Sequence, residues 1–283
     1  MRQIAEPQRL RALCEEQRAQ HRRVGLVPTM GFLHEGHLSL VRRARGLADF
    51  VVVTIFVNPT QFSPSEDLDR YPNDLIGDLA KLEAVGADCV FVPTRDAIYP
   101  AGFSSHVMVE GLTDVLCGAS RGPGHFQGVC TVVTKLLNMV GPCSAVFGEK
   151  DYQQLRVIQR MAQDLDLPVE VVGAPTVREP DGLALSSRNA YLSPDQRQAA
   201  TCLYRALQAV RARIERGGGT LSAAEAIGLA REIIEAAPEA RIDYVDVRHA
   251  HTLEPLETVV VGQTVLALAV FVGRTRLIDN LTL

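Results

Sequence analysis

The chain has 283 residues, 47% hydrophobic and 22% charged, which is the balance of an ordinary soluble globular protein and, at about 150 residues per domain, of two domains. Its 29 Lys and Arg against 33 Asp and Glu leave a net charge of −4, and aromatics are 5% with no Trp, so neither a basic field nor stacking platforms point to nucleic acid. The charged amino terminus lacks the apolar run of a signal peptide, and no stretch reaches about 18 uninterrupted apolar residues, which predicts a cytoplasmic protein without a membrane partner.

From residue 24, short β-branched runs alternate with segments of helical period. VGLVPT (24–29) reads as a strand, HLSLVRRARGLA as its helix, and FVVVTIFV (50–57) as a strand covered on both faces. LIGDLAKLEAVG follows as a helix and DCVFVPT (88–94) as a third strand. The rhythm resumes with VCTVVTKLLNMVG as a helix, SAVFG (144–148) as a strand, DYQQLRVIQRMAQDLD as a helix and PVEVVGAPTV as a strand. This is the signature of right-handed βαβ units, and it predicts an α/β fold: a Rossmann-like doubly wound parallel sheet over residues 1–176. An Ala-rich helix to about residue 215, a GGGT turn, a helix from Ser222 to Ala236 and two β-rich runs then predict a smaller C-terminal α+β domain over 177–283. The six cysteines, Cys14, Cys89, Cys117, Cys130, Cys143 and Cys202, include no Cys-x-x-Cys pair and read as reduced, small apolar residues.

In open parallel sheets, ligands bind outside the carboxyl ends of the strands. The first such loop, Pro28 to His37, carries His34 and His37 three apart where a helix begins. Free backbone N–H groups and the helix dipole favour an anion there, two imidazoles can donate to phosphate oxygens, and Gly31 and Gly36 allow close approach. The structural alternative is one capping and one surface histidine. Zinc is disfavoured, because the spacing is not His-Glu-x-x-His and no further ligand pair is evident. The second loop, Asn58 to Phe62, offers neutral amides suited to a substrate with hydroxyls and a carboxylate, although Asn58 could simply form an Asx-turn. Next comes an acidic stretch that could hold Mg²⁺ through Asp74 or Asp78, or be solvated.

The third loop, Gly148 to Gln154, sets Lys150 beside a helix N-terminus. Cation against positive dipole is unfavourable unless an anion lies between them, while Asp151 reads as a cap. The fourth, Val177 to Asn189, contains Leu185-Ser186-Ser187-Arg188, an anion clamp or a capping serine with a surface arginine. Neither a Gly-x-Ser-x-Gly elbow nor a Walker A sequence occurs, and no Gly-x-Gly-x-x-Gly follows the first strand.

Taken together, PTMGFLHEGH, FVNPTQF, GHFQGVCTVVTKL, VFGEKDYQQL and REPDGLALSSRN resemble the signatures of the pantoate–β-alanine ligase (pantothenate synthetase) family, in family order from residue 28 to 189. His34-x-Gly36-His37 is similar to the HIGH-type motif of nucleotidyltransferases and class I synthetases. Ser186-Ser187-Arg188 occupies the position of their KMSKS-type loop. The resemblance implies that pantoate attacks ATP to give pantoyl adenylate and pyrophosphate, and that β-alanine then displaces AMP. It further implies that Met30, Gly31, Phe32, Leu33, His34, Glu35, Gly36 and His37 line the ATP site, with His37 as the family's proton donor. Gly148, Glu149, Lys150 and Asp151 would contact ATP, Val177 would reach adenine, and Leu185, Ser186, Ser187 and Arg188 would close over the triphosphate. His34, His37, Lys150 and Arg188 are the expected catalytic groups, and Gln61 and Gln154 the expected pantoate and β-alanine ligands. Mg²⁺ is expected with ATP, without an assigned protein ligand, since Gly77 stands where many members carry an acid. A homodimer through the amino-terminal domain is implied as well. The rival readings are a nucleotidylyltransferase with a stable adenylylated product and an adenine-nucleotide-binding regulatory module. A tRNA synthetase is disfavoured for so short and acidic a chain.

Overall fold

The computed structural model describes residues 1–62, Leu68 and 71–283, so part of the acidic stretch after Phe62 lies outside the described residues. Six parallel strands form the larger sheet: β1 (Arg2–Ile4), β2 (Val24–Thr29), β3 (Phe50–Ile55), β4 (Cys89–Phe91), β5 (Cys143–Gly148) and β6 (Val169–Ala174). Its helices are α1 (Pro7–Ala19), α2 (Glu35–Leu47), α3 (Leu75–Ala84), α4 (Arg95–Ile98), α5 (Leu116–Arg121), α6 (Pro123–Val140) and α7 (Tyr152–Asp164). The smaller unit holds α8 (Pro194–Ala199), α9 (Cys202–Arg216) and α10 (Ala223–Glu235), followed by an antiparallel sheet of β7 (Ala240–His249), β8 (Thr264–Val272) and β9 (Thr275–Thr282).

Residues alternate in side along each strand. Leu26, Phe50, Val52, Ala145 and Phe147 pack into a core with α1, α6 and α7, whereas Val27, Val51, Val53, Val90 and Val146 meet α2 and α3 on the opposite face. Covered on both sides, all six residues of β3 are buried, as its unbroken apolar run predicts. The α9, α10 and β7–β9 core is separate, built on Leu203, Leu207, Val210, Ile234, Leu266 and Leu268. Five cysteines are buried and Cys143 is half-buried. All six are unbonded, and burial pushes five of the thiols up, Cys14 and Cys202 to about 11 and Cys89, Cys130 and Cys143 to about 12. No helix among the described residues is long and apolar enough to cross a membrane.

Some elements and boundaries were not read from the sequence. β1 is three residues on the sheet edge, held by pairing Arg2 with Cys89 and Ile4 with Phe91. Amid charge, α1 buries Leu10, Leu13, Cys14 and Gln17 at helical spacing behind a Pro7 start. α6 starts at Pro123, six residues before the predicted helix, because Gly122 at φ 85° turns the chain and Pro123 opens the helix. The strand expected over 88–94 contracts to Cys89–Phe91.

The strand order is β1-β4-β3-β2-β5-β6. From β2 the chain winds outward through β3 and β4, then returns to add β5 and β6 on the other side, which makes the β2–β5 junction the topological switch point. β2 pairs with β3 along its whole length, from Val24 with Phe50 to Thr29 with Ile55. With β5 it pairs only at Gly25–Ser144 and Leu26–Ala145. Beyond Leu26 these two strands part, and their carboxyl ends open a crevice.

Candidate active site

A cleft of about 1010 Å³ fills that crevice and runs under the smaller unit. It is lined by Met30, Gly36 and His37 after β2, Gln61 after β3, Lys150 and Gln154 after β5, Val177 after β6, and Leu185 through Arg188. All four loops singled out in the sequence therefore meet. His34, Gly148 and Asp151 also line it.

At the start of α2 both histidines are turned inward by the backbone. His34 Nδ1 accepts the Gly36 N–H at 3.2 Å, and His37 Nδ1 accepts the His34 N–H at 3.3 Å, so the pair satisfies two of the orphan donors of the helix. The rings stand 4.1 Å apart. Since each Nδ1 acts as acceptor, each neutral ring carries its proton on Nε2, and no protein partner for either Nε2 exists among the described residues. Burial first, then Lys150, lowers His34 to about 4; burial, the His34 ring and then Lys150 lower His37 to about 3. At neutral pH the loop presents two uncharged N–H donors rather than two cations. Both histidines cap, where the structural alternative foresaw one cap and one surface residue.

The loop's remaining residues do other work. Gly31 adopts φ +87°, a turn that brings Phe32 and Leu33 back over α3. There the buried Asp78 carboxylate accepts the Phe32 and Leu33 N–H groups, each at 2.7 Å, with Lys81 Nζ 3.7 Å from it and also bonded to the Leu33 carbonyl at 2.9 Å. Glu35 faces solvent and pairs with Arg42. Gly31, Phe32, Leu33 and Glu35 thus shape the loop that carries Met30, His34, Gly36 and His37 into the cleft.

The donor set for a metal fails. Asp78 is consumed by two backbone N–H groups, and Asp74 caps α3 through the Gly77 N–H at 3.0 Å. Among the described residues, no three His, Cys, Asp or Glu side chains converge as a metal cage.

Gln61 is set by a network built on the turn at Asn58, whose Oδ1 accepts the Thr60 N–H at 3.4 Å as an Asx-turn does. Buried Asn58 donates to Gln61 Oε1 at 3.1 Å and to the Gly128 carbonyl at 3.1 Å, while its own oxygen accepts from Tyr99 OH at 2.8 Å and Thr60 Oγ1 at 2.9 Å. Gln61 Nε2 lies 3.3 Å from Met30 Sδ, and its carbonyl accepts from His125 Nδ1 at 2.9 Å, with Arg121 bonded to the other ring nitrogen. The α6 helix approaches this turn so closely that a Cβ on Gly128 would fall 2.4 Å from the Thr60 carbonyl oxygen. Tyr99, Arg121 and His125 went unassigned in the sequence, though GHF was quoted as a motif; no local spacing connects residues 58, 99 and 125.

Lys150 is half-buried in the turn between β5 and α7, with Nζ 3.9 Å from Asp151 Oδ2. Asp151 makes no capping hydrogen bond, which corrects its reading as the α7 cap and leaves the helix N-terminus open toward the cleft. Gln154 lies one residue past buried Gln153, whose amide is spent on Cys117, Leu112 and Val115 backbone groups. The Gln154 amide makes no side-chain hydrogen bond within the described residues. Ser187 Oγ donates to the Phe32 carbonyl at 3.4 Å, which ties the fourth loop to the first, and Ser186 Oγ accepts the Arg188 N–H at 3.3 Å. The smaller unit contributes a wall unforeseen in the sequence. Arg276 joins Asp243 at 2.8 Å to Ser120 at 3.1 Å across the cleft mouth, and Asn280 reaches the turn that carries Lys150.

Comparison with known proteins gives one consistent answer. The family model described as pantoate-beta-alanine ligase matches residues 2–282. The pantothenate synthetase of Moorella thermoacetica is 56% identical over 260 residues, covering 92% of this chain and 90% of that protein. That of Carboxydothermus hydrogenoformans is 51% identical, covering 100% and 99%. Among solved structures, pantothenate synthetase from Thermus thermophilus superposes with a TM-score of 0.92 at 52% identity, covering 100% of this chain and 99% of that one. The pantoate-beta-alanine ligase of Francisella tularensis, solved with beta-gamma ATP and beta-alanine, gives 0.80 at 32% identity, covering 100% and 97%.

Proposed function

The chain belongs to the pantoate–β-alanine ligase family, and from that membership we infer which of its groups carry the reaction. It is an ATP-dependent ligase that condenses pantoate with β-alanine through a pantoyl adenylate. A pantoate carboxylate oxygen attacks the α-phosphorus of ATP and pyrophosphate leaves. The β-alanine nitrogen then attacks the acyl carbon, AMP leaves, and the amine's proton is released. A carboxylate is already ionised at neutral pH, so the first step needs no general base. What it needs is alignment and stabilisation of the charge that develops on the phosphate oxygens.

The observation that carries the assignment of roles is the capping pair of histidines: both rings are neutral, both carry the proton on Nε2, and both line one cleft with Lys150. His34 and His37 donate hydrogen bonds to phosphate oxygens, His37 through its Nε2–H. Lys150 supplies the positive charge beside the open N-terminus of α7, and Arg188, carried by the loop that Ser187 ties to Phe32, closes on the triphosphate. Met30, Gly36, Gly148, Asp151, Val177, Leu185, Ser186 and Ser187 complete the ATP surface. Gly31, Phe32, Leu33, Glu35 and Glu149, the remaining residues of the same two loops, belong to that ATP-binding set. Gln61, fixed from three sides, and Gln154, with its amide uncommitted, hold pantoate, and Gln61 also meets β-alanine.

Mg²⁺ enters on the triphosphate, because Asp74 and Asp78 are committed to the backbone and offer it no cage. Residues 1–176 form the nucleotide- and pantoate-binding unit and 177–283 the lid. A cytoplasmic homodimer assembled through the amino-terminal unit belongs to the same proposal. The test is to incubate the protein with ATP, Mg²⁺ and pantoate, with and without β-alanine, and to identify products by mass. Adenylate without the amine, and pantothenate plus AMP with it, are expected. ATP binding with no pyrophosphate under either condition would sink the proposal.

A further inference from the structure

Two neighbouring residues on β9, far from every motif noted in the sequence, hold two of the site loops. Asn280 Nδ2 donates to the Glu149 carbonyl at 2.9 Å and to the Lys150 carbonyl at 3.0 Å. Both are carbonyls of the turn between β5 and α7, and Asn280 is only 9% exposed. Asp279, 2% exposed, takes the Arg178 guanidinium in a two-pronged ion pair at 2.6 and 2.8 Å, and Arg178 begins the loop that runs to Arg188. That loop is folded on itself, with Leu185 N–H on the Val177 carbonyl at 3.0 Å and Arg178 also on the Gly182 carbonyl at 3.0 Å.

We propose that Asn280 is a positioning residue for Lys150, fixing the ammonium against the phosphates from the smaller unit. This rests on the reading of Lys150 as a phosphate-binding group. The physical argument concerns the turn itself. Lys150 sits in three residues of 3-10 turn between a strand and a helix, entered from Gly148, which has no side chain to cap it, and followed by Asp151, whose side chain makes no capping bond to α7. A single amide grips two of the turn's peptide carbonyls in succession. A lysine reaches its ligand through four rotatable bonds beyond Cα, so any shift or rotation of its backbone is carried out to the ammonium, and holding the turn fixes the point from which the charge reaches into the cleft. A displacement of about 1 Å in such a group can cost on the order of 10²-fold in rate. Because Asp279 holds the 177–188 loop from the next residue of the same strand, the separation of the two phosphate-binding loops is set by one rigid β-strand.

The test compares Asn280→Ala, Asn280→Leu, Lys150→Ala and the Asn280→Ala/Lys150→Ala double variant in pyrophosphate release from ATP and pantoate. Asn280→Ala is expected to lower kcat about tenfold while KM for pantoate stays within about twofold. Asn280→Leu keeps the volume but has no donor, and is expected to be equally slow. In the Lys150→Ala background the Asn280 substitution is expected to have no further effect, since residues that act as a unit are not additive. A wild-type rate in Asn280→Leu would show packing to be the whole contribution and overturn the proposal. So would a full tenfold loss from Asn280→Ala on top of Lys150→Ala. A wild-type rate in Lys150→Ala would instead overturn the phosphate role of Lys150, and this proposal with it.

Discussion

The carboxylate of Asp78 accepts the Phe32 N–H at 2.7 Å across 46 residues of sequence, from a side chain 1% exposed. With its second oxygen on the Leu33 N–H, this group ties the histidine loop to α3 through two successive backbone donors. Asp78→Ala leaves one buried and one half-buried donor without acceptors, at up to about 1–3 kcal/mol each, and loosens the loop. The expected result is a loss of about 2–5 kcal/mol in urea unfolding together with slow adenylate formation. Raising Mg²⁺ should not restore the rate, whereas restoration at high Mg²⁺ would reassign Asp78 as a metal ligand.

The histidine pair separates capping from chemistry. His37→Asn keeps an acceptor near the Nδ1 position but has no Nε2–H. It should therefore fold with nearly wild-type stability while pyrophosphate release falls by roughly 10²-fold or more, the scale of one lost transition-state donor. Lys150→Ala should fall at least as far. A wild-type rate in either variant refutes the role given to that residue.

Stability should depend on pH through the same two rings. Their folded values are lowered, to about 4 for His34 and about 3 for His37, against an ordinary value of about 6.5. Between these limits the unfolded chain binds more protons than the folded one, so stability is fully present above about pH 6.5 and is lost as pH falls toward 3. Thermal midpoints measured from pH 7 to pH 4 should drop more steeply in the wild type than in His37→Asn. Parallel curves would remove His37 from this account.

Gly128 tests the seat of Gln61. A methyl group there meets the Thr60 carbonyl oxygen at 2.4 Å and the Gln61 N at 2.7 Å, both backbone atoms with no rotamer to yield. Gly128→Ala should cost about 1–3 kcal/mol by overpacking and raise KM for pantoate, with KM for ATP little changed. An unaltered KM for pantoate would argue that the Gln61 turn does not bind it.

Arg178 and Asp279 form the most buried ion pair at the site among the described residues, with side chains 20% and 1% exposed. Removing one partner strands the other charge, so Arg178→Ala should lose about 3–5 kcal/mol in equilibrium unfolding. A loss under about 1 kcal/mol would mean that water or another cation reaches Asp279.

Much of this was readable in the one-dimensional chain because it is local. The unbroken apolar run at β3, the 3.6-residue period of α2 and α7, and the loops that follow β2, β5 and β6 all report short-range physics, and the strand–helix rhythm leads to a parallel sheet with its ligands at the carboxyl ends. His34, His37 and Lys150 stood out because each is a polar group beside a predicted strand end or helix start, and Arg188 because it follows two hydroxyls in a long loop. Only the folded chain decided that both histidines cap the same helix and so carry their protons on Nε2, that Asp78 is spent on Phe32 and Leu33 rather than on a metal, and that Asn58 and His125 fix Gln61. It also decided that Asp279 and Asn280 brace two loops from a strand at the far end of the chain. These are hydrogen bonds between groups from 2 to 131 residues apart, and what each side chain does is set by which backbone donors or acceptors the fold leaves within about 3 Å of it. Residue type and spacing give the inventory of possible partners, and packing makes the choice among them.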